Sequence, residues 1–201
     1  GAALFEIGTG NALPVGDVSQ LRARGAHFDD GMLYYKKITP QGQIPCAMHV
    51  ESGREYELCA PARSCGVAVL CGEFLIVPRD NKFLILDGVN VVGELENNCR
   101  AQHISSDGVN HICFADDNAN IVIVDITSGY RTIGANDAGN KPRFSANGNK
   151  IATENTGGVL VFDVHTRARN FYENASNICP DAIGDGFFVR ISRSWVPDVQ
   201  F

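Results

Sequence analysis

The chain has 201 residues, 44% of them hydrophobic, with 21 glycines and a formal net charge of −6 at pH 7. That length buries a substantial core without requiring a second domain. The acidic balance argues against nucleic acid as a partner, and no window reaches the roughly 20 continuous apolar residues of a membrane span.

In chain order, Ala3-Leu4-Phe5-Glu6-Ile7-Gly8-Thr9-Gly10 reads as a strand and Ala12-Leu13-Pro14-Val15 as the next. A unit then recurs in which an apolar strand meets a small or acidic turn and runs into another apolar strand. Its turn glycines, Gly31, Gly72, Gly108, Gly148 and Gly186, are 41, 36, 40 and 38 residues apart. A fixed period of this size belongs to β-propellers rather than to one undivided core. The clearest copy is Arg143-Phe144-Ser145-Ala146-Asn147-Gly148-Asn149-Lys150-Ile151-Ala152-Thr153, followed by Gly158-Val159-Leu160-Val161-Phe162-Asp163-Val164. The spacing predicts blades over about 21–58, 64–95, 99–133 and 141–172. The last copy, 178–191, is short of strands, whereas Leu4 to Gly10 matches the third strands ending at Asp125 and Asp163 position for position. The sequence therefore predicts an all-β, five-bladed β-propeller, a single domain over 1–201, with its last blade closed by strands from both termini, 178–191 plus 4–15. Such closure protects the strand edges that an open repeat would expose. No segment has helical periodicity.

The run from Phe144 to Thr153, with Val159-Leu160-Val161-Phe162-Asp163-Val164 after it, resembles a WD-repeat or TolB-like blade, in which an aromatic–acidic pair ends the third strand. The resemblance covers most of the third and fourth units. It departs from the WD repeat in lacking both the Trp-Asp dipeptide and the Gly-His pair. What it implies is the propeller fold and a role as a binding platform, with no catalytic residue carried over.

Seven cysteines, an odd number without a CxxC pair, point to free thiols packed as small hydrophobes, and so to the cytoplasm. Two features would suit a secreted or periplasmic protein instead: the short Cys59–Cys65 loop and the glycosylation triplet Asn174-Ala175-Ser176. The acidic column Glu6, His49, Asp87, Asp125, Asp163 sits late on each third strand. There a carboxylate closes the turn by accepting backbone N–H bonds. His27 stands on an inner strand without a visible partner and reads as a core group.

Basic residues gather at the starts of the inner strands: Arg22 and Arg24, Arg63, Arg100 and Lys141, with Arg193 and Trp195 expected on the same face. Arg79 and Lys82 come from the matching loop of the second unit. Guanidinium forks in that arrangement suit a carboxylate or phosphate, although nearby acids such as Asp17, Glu96 or Asp181 could pair with them instead. Three function classes follow. The first is a non-enzymatic adaptor that binds an acidic protein or peptide segment at one mouth of the channel. The second is a five-bladed hydrolase of the glycosidase or nucleotidase kind, and the third a structural subunit. A glycosidase needs two carboxylates about 5–10 Å apart, and the inner strands supply only Asp29, Asp30 and Asp181. No phosphate-loop, zincin or nucleophile-elbow motif occurs, so no cofactor or metal is expected.

Overall fold

The computed structural model describes residues 2–5, 12–15, 26–29, 31–97, 103–135, 139–181, 186–191 and 194–197. Among them all regular structure is β-strand, arranged as successive antiparallel sheets. β1 (Ala2–Phe5) and β2 (Ala12–Val15) pair with each other. β3 (His27–Asp29), β4 (Met32–Thr39), β5 (Gly42–His49) and β6 (Glu55–Glu57) form a four-stranded meander. The next comprises β7 (Val69–Cys71), β8 (Phe74–Arg79), β9 (Lys82–Asp87) and β10 (Asn90–Glu96). β11 (Ile104–Ser106), β12 (His111–Ala115), β13 (Ile121–Asp125) and β14 (Arg131–Ala135) make the third. β15 (Asn140–Phe144), β16 (Lys150–Asn155), β17 (Gly158–Asp163) and β18 (Arg169–Glu173) make the fourth. Finally, β19 (Ala175–Pro180), β20 (Phe187–Ile191) and β21 (Ser194–Pro197) form a three-stranded sheet.

Four of the five periodic glycines have positive φ, namely Gly31 at 72°, Gly72 at 60°, Gly108 at 78° and Gly148 at 74°. The repeat seen in the sequence is thus a repeat of backbone conformation, which glycine adopts without steric cost.

The contacts divide the chain into two compact units, Gly1–Val69 with Phe74–Glu96, and Leu70–Glu73 with Asn97–Phe201. In the first, Tyr34, Ala47, Leu58, Ala68, Leu75, Val77, Leu84 and Leu86 form one apolar cluster. Leu33, Tyr35, Ile44, Cys46 and Met48 form another. Neighbours along β4 alternate between the two, because successive side chains leave a strand on opposite faces. Tyr35 Oη and Lys37 Nζ both donate to the Glu55 carboxylate.

In the second unit, Cys113, Ile121, Ile123, Phe144, Ile151 and Phe162 pack together. Ala152, Val159, Val161, Ala175, Phe187 and Val189 pack on the other side. β16 and β17 are therefore buried on both faces. Each fully buried Ile, Val or Phe contributes about 1.5–3 kcal/mol of transfer free energy.

The last sheet differs from the expectation. The expected partner of β20 is Leu4 to Gly10, of which residues 6–10 lie outside the described residues; the position beside β20 is held by β21, in the register Phe188↔Pro197 to Ile191↔Ser194. Strands this near in sequence pair at far smaller entropic cost than strands nearly the whole chain apart. Six cysteines, Cys46, Cys59, Cys65, Cys71, Cys113 and Cys179, are free thiols, and Cys99 lies outside the described residues. Burial pushes the Cys46 thiol up to about 12 and those of Cys65 and Cys71 up to about 11. None of the three is a thiolate nucleophile at neutral pH. No helix among the described residues is long and apolar enough to cross a membrane.

Candidate functional site

Hydrogen-bonded turns at one end of the third and fourth sheets shape a cleft. Asp125 closes the β13–β14 connection. Its Oδ1 accepts from Thr127 Oγ1 at 2.6 Å, Thr127 N at 2.8 Å and Ser128 N at 3.1 Å. These bonds hold its carboxyl down to about 2, with the Thr127 hydroxyl as the largest cause. Asp163 repeats the device on β17, accepting from Thr166 N at 2.6 Å and His165 N at 2.9 Å, and its carboxyl is likewise lowered. His49 does the same with a ring nitrogen, Nδ1 accepting from Ser52 N at 3.3 Å. Three members of the column, His49, Asp125 and Asp163, thus close turns, the two carboxylates favouring their ionised form under N–H donation, while Glu6 lies outside the described residues.

Asp107 is more heavily engaged. Its Oδ1 accepts from the backbone N–H groups of Val109, Asn110 and His111 at 2.9, 3.1 and 3.0 Å, and Oδ2 lies 2.8 Å from His111 Nδ1. The next sheet presses on it: a Cβ added to Gly148 would lie 2.9 Å from Asp107 Cβ. Only glycine meets both that approach and the φ of 74°.

Between these turns opens a cleft of about 440 Å³. Its apolar lining is Ile123, Phe144 and Val164, and its polar lining includes Asp107, His111, Asp125, Asn147 and His165. His165 Nε2 lies 3.2 Å from Asn149 Oδ1. Tyr130 and Val109, 71% and 69% exposed, also border it. Sequence reasoning missed this site, because its residues come from separate turns of two sheets and no spacing joins them. The one available signal was the repeated Asp-Gly and Asn-Gly turn.

Of the basic residues expected at the inner-strand starts, Arg63 and Lys141 fall within the described residues. Lys141 starts β15 with φ 53° in an irregular stretch of the β15–β16 pairing, and its Nζ pairs with Glu154 Oε2 at 3.1 Å. It lines a separate hollow of about 530 Å³ with Ala119, Gly139 and Asn155. In the other compact unit, Arg63 is exposed beside the β8–β9 turn, to which Ser64 N is tied through Asp80 Oδ1 at 3.0 Å. Arg79 Nη2 donates to the Pro61 carbonyl at 3.3 Å. Lys82 pairs with Glu94 at 2.6 Å and Glu96 at 3.6 Å. Arg22, Arg24, Arg100 and Arg193 lie outside the described residues, and Trp195 belongs to β21, opposite Arg190 in register. His27 stacks on Tyr34 with ring centroids 6.2 Å apart. Among the described residues no three His, Cys, Asp or Glu side chains gather as a metal site requires.

No protein-family model matches the chain, and no curated protein matches it. Solved structures do. The β-propeller domain of Cps50 (Swd1) from Myceliophteria thermophila is 13% identical with a TM-score of 0.66, over 83% of this chain and 61% of that one. The WD40 β-propeller domain of Doa1 is 14% identical with a TM-score of 0.65, over 86% and 61%. TolB from Acinetobacter baumannii is 16% identical with a TM-score of 0.61, over 83% and 47%. This chain thus spans less than two thirds of each of these propellers. At such identities the likeness is one of fold: the chain is an all-β β-propeller, similar to the WD40 and TolB-like propellers.

Proposed function

We propose that the chain is a non-enzymatic interaction propeller that holds a partner protein or peptide, and that an acidic or phosphorylated segment of that partner docks on a basic rim. The observation that carries this is the pair of guanidinium groups beside the β8–β9 turn. Among the described residues Arg63 is exposed without an ion-pair partner, and Arg79 gives one donor to a backbone carbonyl and makes no ion pair. Planar forks left open in this way suit bidentate contact with carboxylate or phosphate, which a lysine cannot reproduce. Arg22, Arg24, Arg100, Lys141 and Arg193 complete the proposed rim, with Trp195 as its aromatic anchor. Arginine and tryptophan are the side chains that most often dominate interface energetics. The likeness to WD40 propellers supports a platform role. The same proposal takes five blades, with the N-terminal strands adding to the last beyond β21, which holds the place beside β20.

The test is fluorescence anisotropy with a labelled peptide of alternating Glu and phosphoserine, against a Gln-and-Ser peptide of equal length. The expected result is salt-sensitive binding of the acidic peptide alone, weakened at least tenfold in Arg63→Glu/Arg79→Glu with an unchanged melting temperature. Equal affinity in that variant, or no preference for the acidic peptide, overturns the proposal.

A further inference from the structure

The cleft between the third and fourth sheets has the opposite character from the basic rim. Two carboxylates, Asp107 and Asp125, line it, and no Lys or Arg does. Asp107 is consumed by four donors within its own turn. Asp125 is not. Its Oδ1 carries the turn, but Oδ2 receives only a long contact of 3.4 Å from Asn110 Nδ2. The group is ionised far below neutrality, its carboxyl being held down to about 2. An acceptor that keeps its charge and has coordination to spare favours a cation.

The surroundings narrow the cation further. Phe144, 4% exposed, and Ile123 give the cleft apolar surface, against which an aliphatic stem can lie while its charged head stays in water. Tyr130 offers an aromatic face at 71% exposure, yet its backbone is fixed. Its N–H donates to Ser128 Oγ at 3.2 Å and its carbonyl accepts from Asp125 N at 3.0 Å. A pre-positioned ring loses little conformational freedom on binding, and its π-face attracts a cation. At about 440 Å³ the space lies within the range of about 300–1,000 Å³ typical of binding pockets.

We infer that this cleft is a docking site for a partner polypeptide's basic side chain, an arginine or lysine in an extended segment. The head is met by Asp125 Oδ2 and the Tyr130 ring, and the stem by Phe144 and Ile123. Val109, exposed beside the cleft, meets the residues flanking that side chain. This site is distinct from the basic rim, and the inference stands without it.

The experiment uses the 15N-labelled full chain titrated with capped Gly-Ser-Leu-X-Leu-Ser-Gly peptides, where X is Arg, citrulline or Glu. Citrulline keeps the shape of arginine and removes its charge. The Arg peptide is expected to produce saturable shifts in the amides of 109–111 and 128–130, with citrulline at least tenfold weaker and Glu inactive. Asp125→Asn, which retains an oxygen for the turn, should weaken the Arg peptide about tenfold. Tyr130→Ala, at an exposed position, should weaken it severalfold, and Arg63→Glu should leave it unchanged. Equal binding of Arg and citrulline, shifts by the Glu peptide at the same amides, or full affinity in Tyr130→Ala overturns the inference, whatever becomes of Asp125→Asn.

Discussion

Gly134 offers a sharp test of how the sheets of the second unit pack. It lies where the β13–β14 register slips between Ile121 and Val122. A Cβ built on it would stand 2.9 Å from Phe162 Cζ, 3.1 Å from Cε2 and 3.2 Å from Ile123 Cδ1. Phe162 is 1% exposed, so its ring cannot swing into solvent. In Gly134→Ala two effects oppose each other. Loss of unfolded-chain entropy favours alanine by about 0.5–1 kcal/mol, while overpacking opposes it by about 1–3 kcal/mol. Overpacking outweighs it over nearly the whole of that range, with a net destabilisation of up to about 2.5 kcal/mol. Phe162→Leu alone should cost about 1–2 kcal/mol in lost apolar burial. It removes the two nearest atoms that the new methyl strikes, leaving only the looser approach to Ile123 Cδ1. In that background Gly134→Ala should therefore be neutral or slightly stabilising, giving a favourable coupling of about 1–2 kcal/mol. Urea unfolding of the four proteins, with a common m-value as control, measures the cycle. Additivity within about 0.5 kcal/mol would refute the contact as the reason for glycine here.

Acid unfolding should depend on Asp125. Its folded carboxyl is lowered from 3.8 to about 2, so its contribution is complete above 3.8 and is lost as pH falls through 2. At this half-buried position, which water still reaches, solvent screening leaves about 1 kcal/mol of it, and Asp125→Asn, which cannot titrate, should flatten the stability curve between pH 5 and 2 by that amount. An unaltered slope would contradict the role of its turn bonds. Thiol titration of the denatured chain should find seven groups, whereas in the folded chain Cys46, Cys71 and Cys113 should react far more slowly than exposed Cys179. A shortfall of two that maps to Cys59 and Cys65 would contradict the free thiols. Deleting residues 1–16 should cause aggregation or a marked loss of stability, if the N-terminal strands close the last blade as proposed. A monomer with an unchanged melting temperature would refute five-blade closure.

The all-β repeat was legible because its markers are conformational. A glycine is needed where φ is positive, as at Gly108 and Gly148, and a carboxylate where a turn must be closed, as at Asp125 and Asp163. Such requirements are local and leave a trace in residue type. The place of β21 was not legible, because Ser194 to Pro197 carries no alternation that outranks Leu4 to Gly10 as a partner for β20. Lys141 shows the same limit at a site. Its pairing with Glu154 depends on a register irregularity that moves side chains relative to their sequence offsets, so counting back from a glycine could not find it. The cleft around Asp125 was hidden because Phe144 and Tyr130 become neighbours only after two sheets have stacked.

In each sheet strands pair with their neighbours in sequence, and this has a consequence during synthesis. A hairpin closes in about 1–10 μs. The 40 residues from Gly108 to Gly148 take roughly 2–8 s to emerge at about 5–20 residues per second. The third sheet can therefore complete its ladder long before its neighbour exists. For those seconds Ile121 and Ile123 present an uncovered apolar face, until Phe144, Ile151 and Phe162 arrive to cover it. Within this unit the nascent chain thus passes through a stage with one sticky face, and the aggregation risk it carries is quenched only when the fourth sheet has left the ribosome.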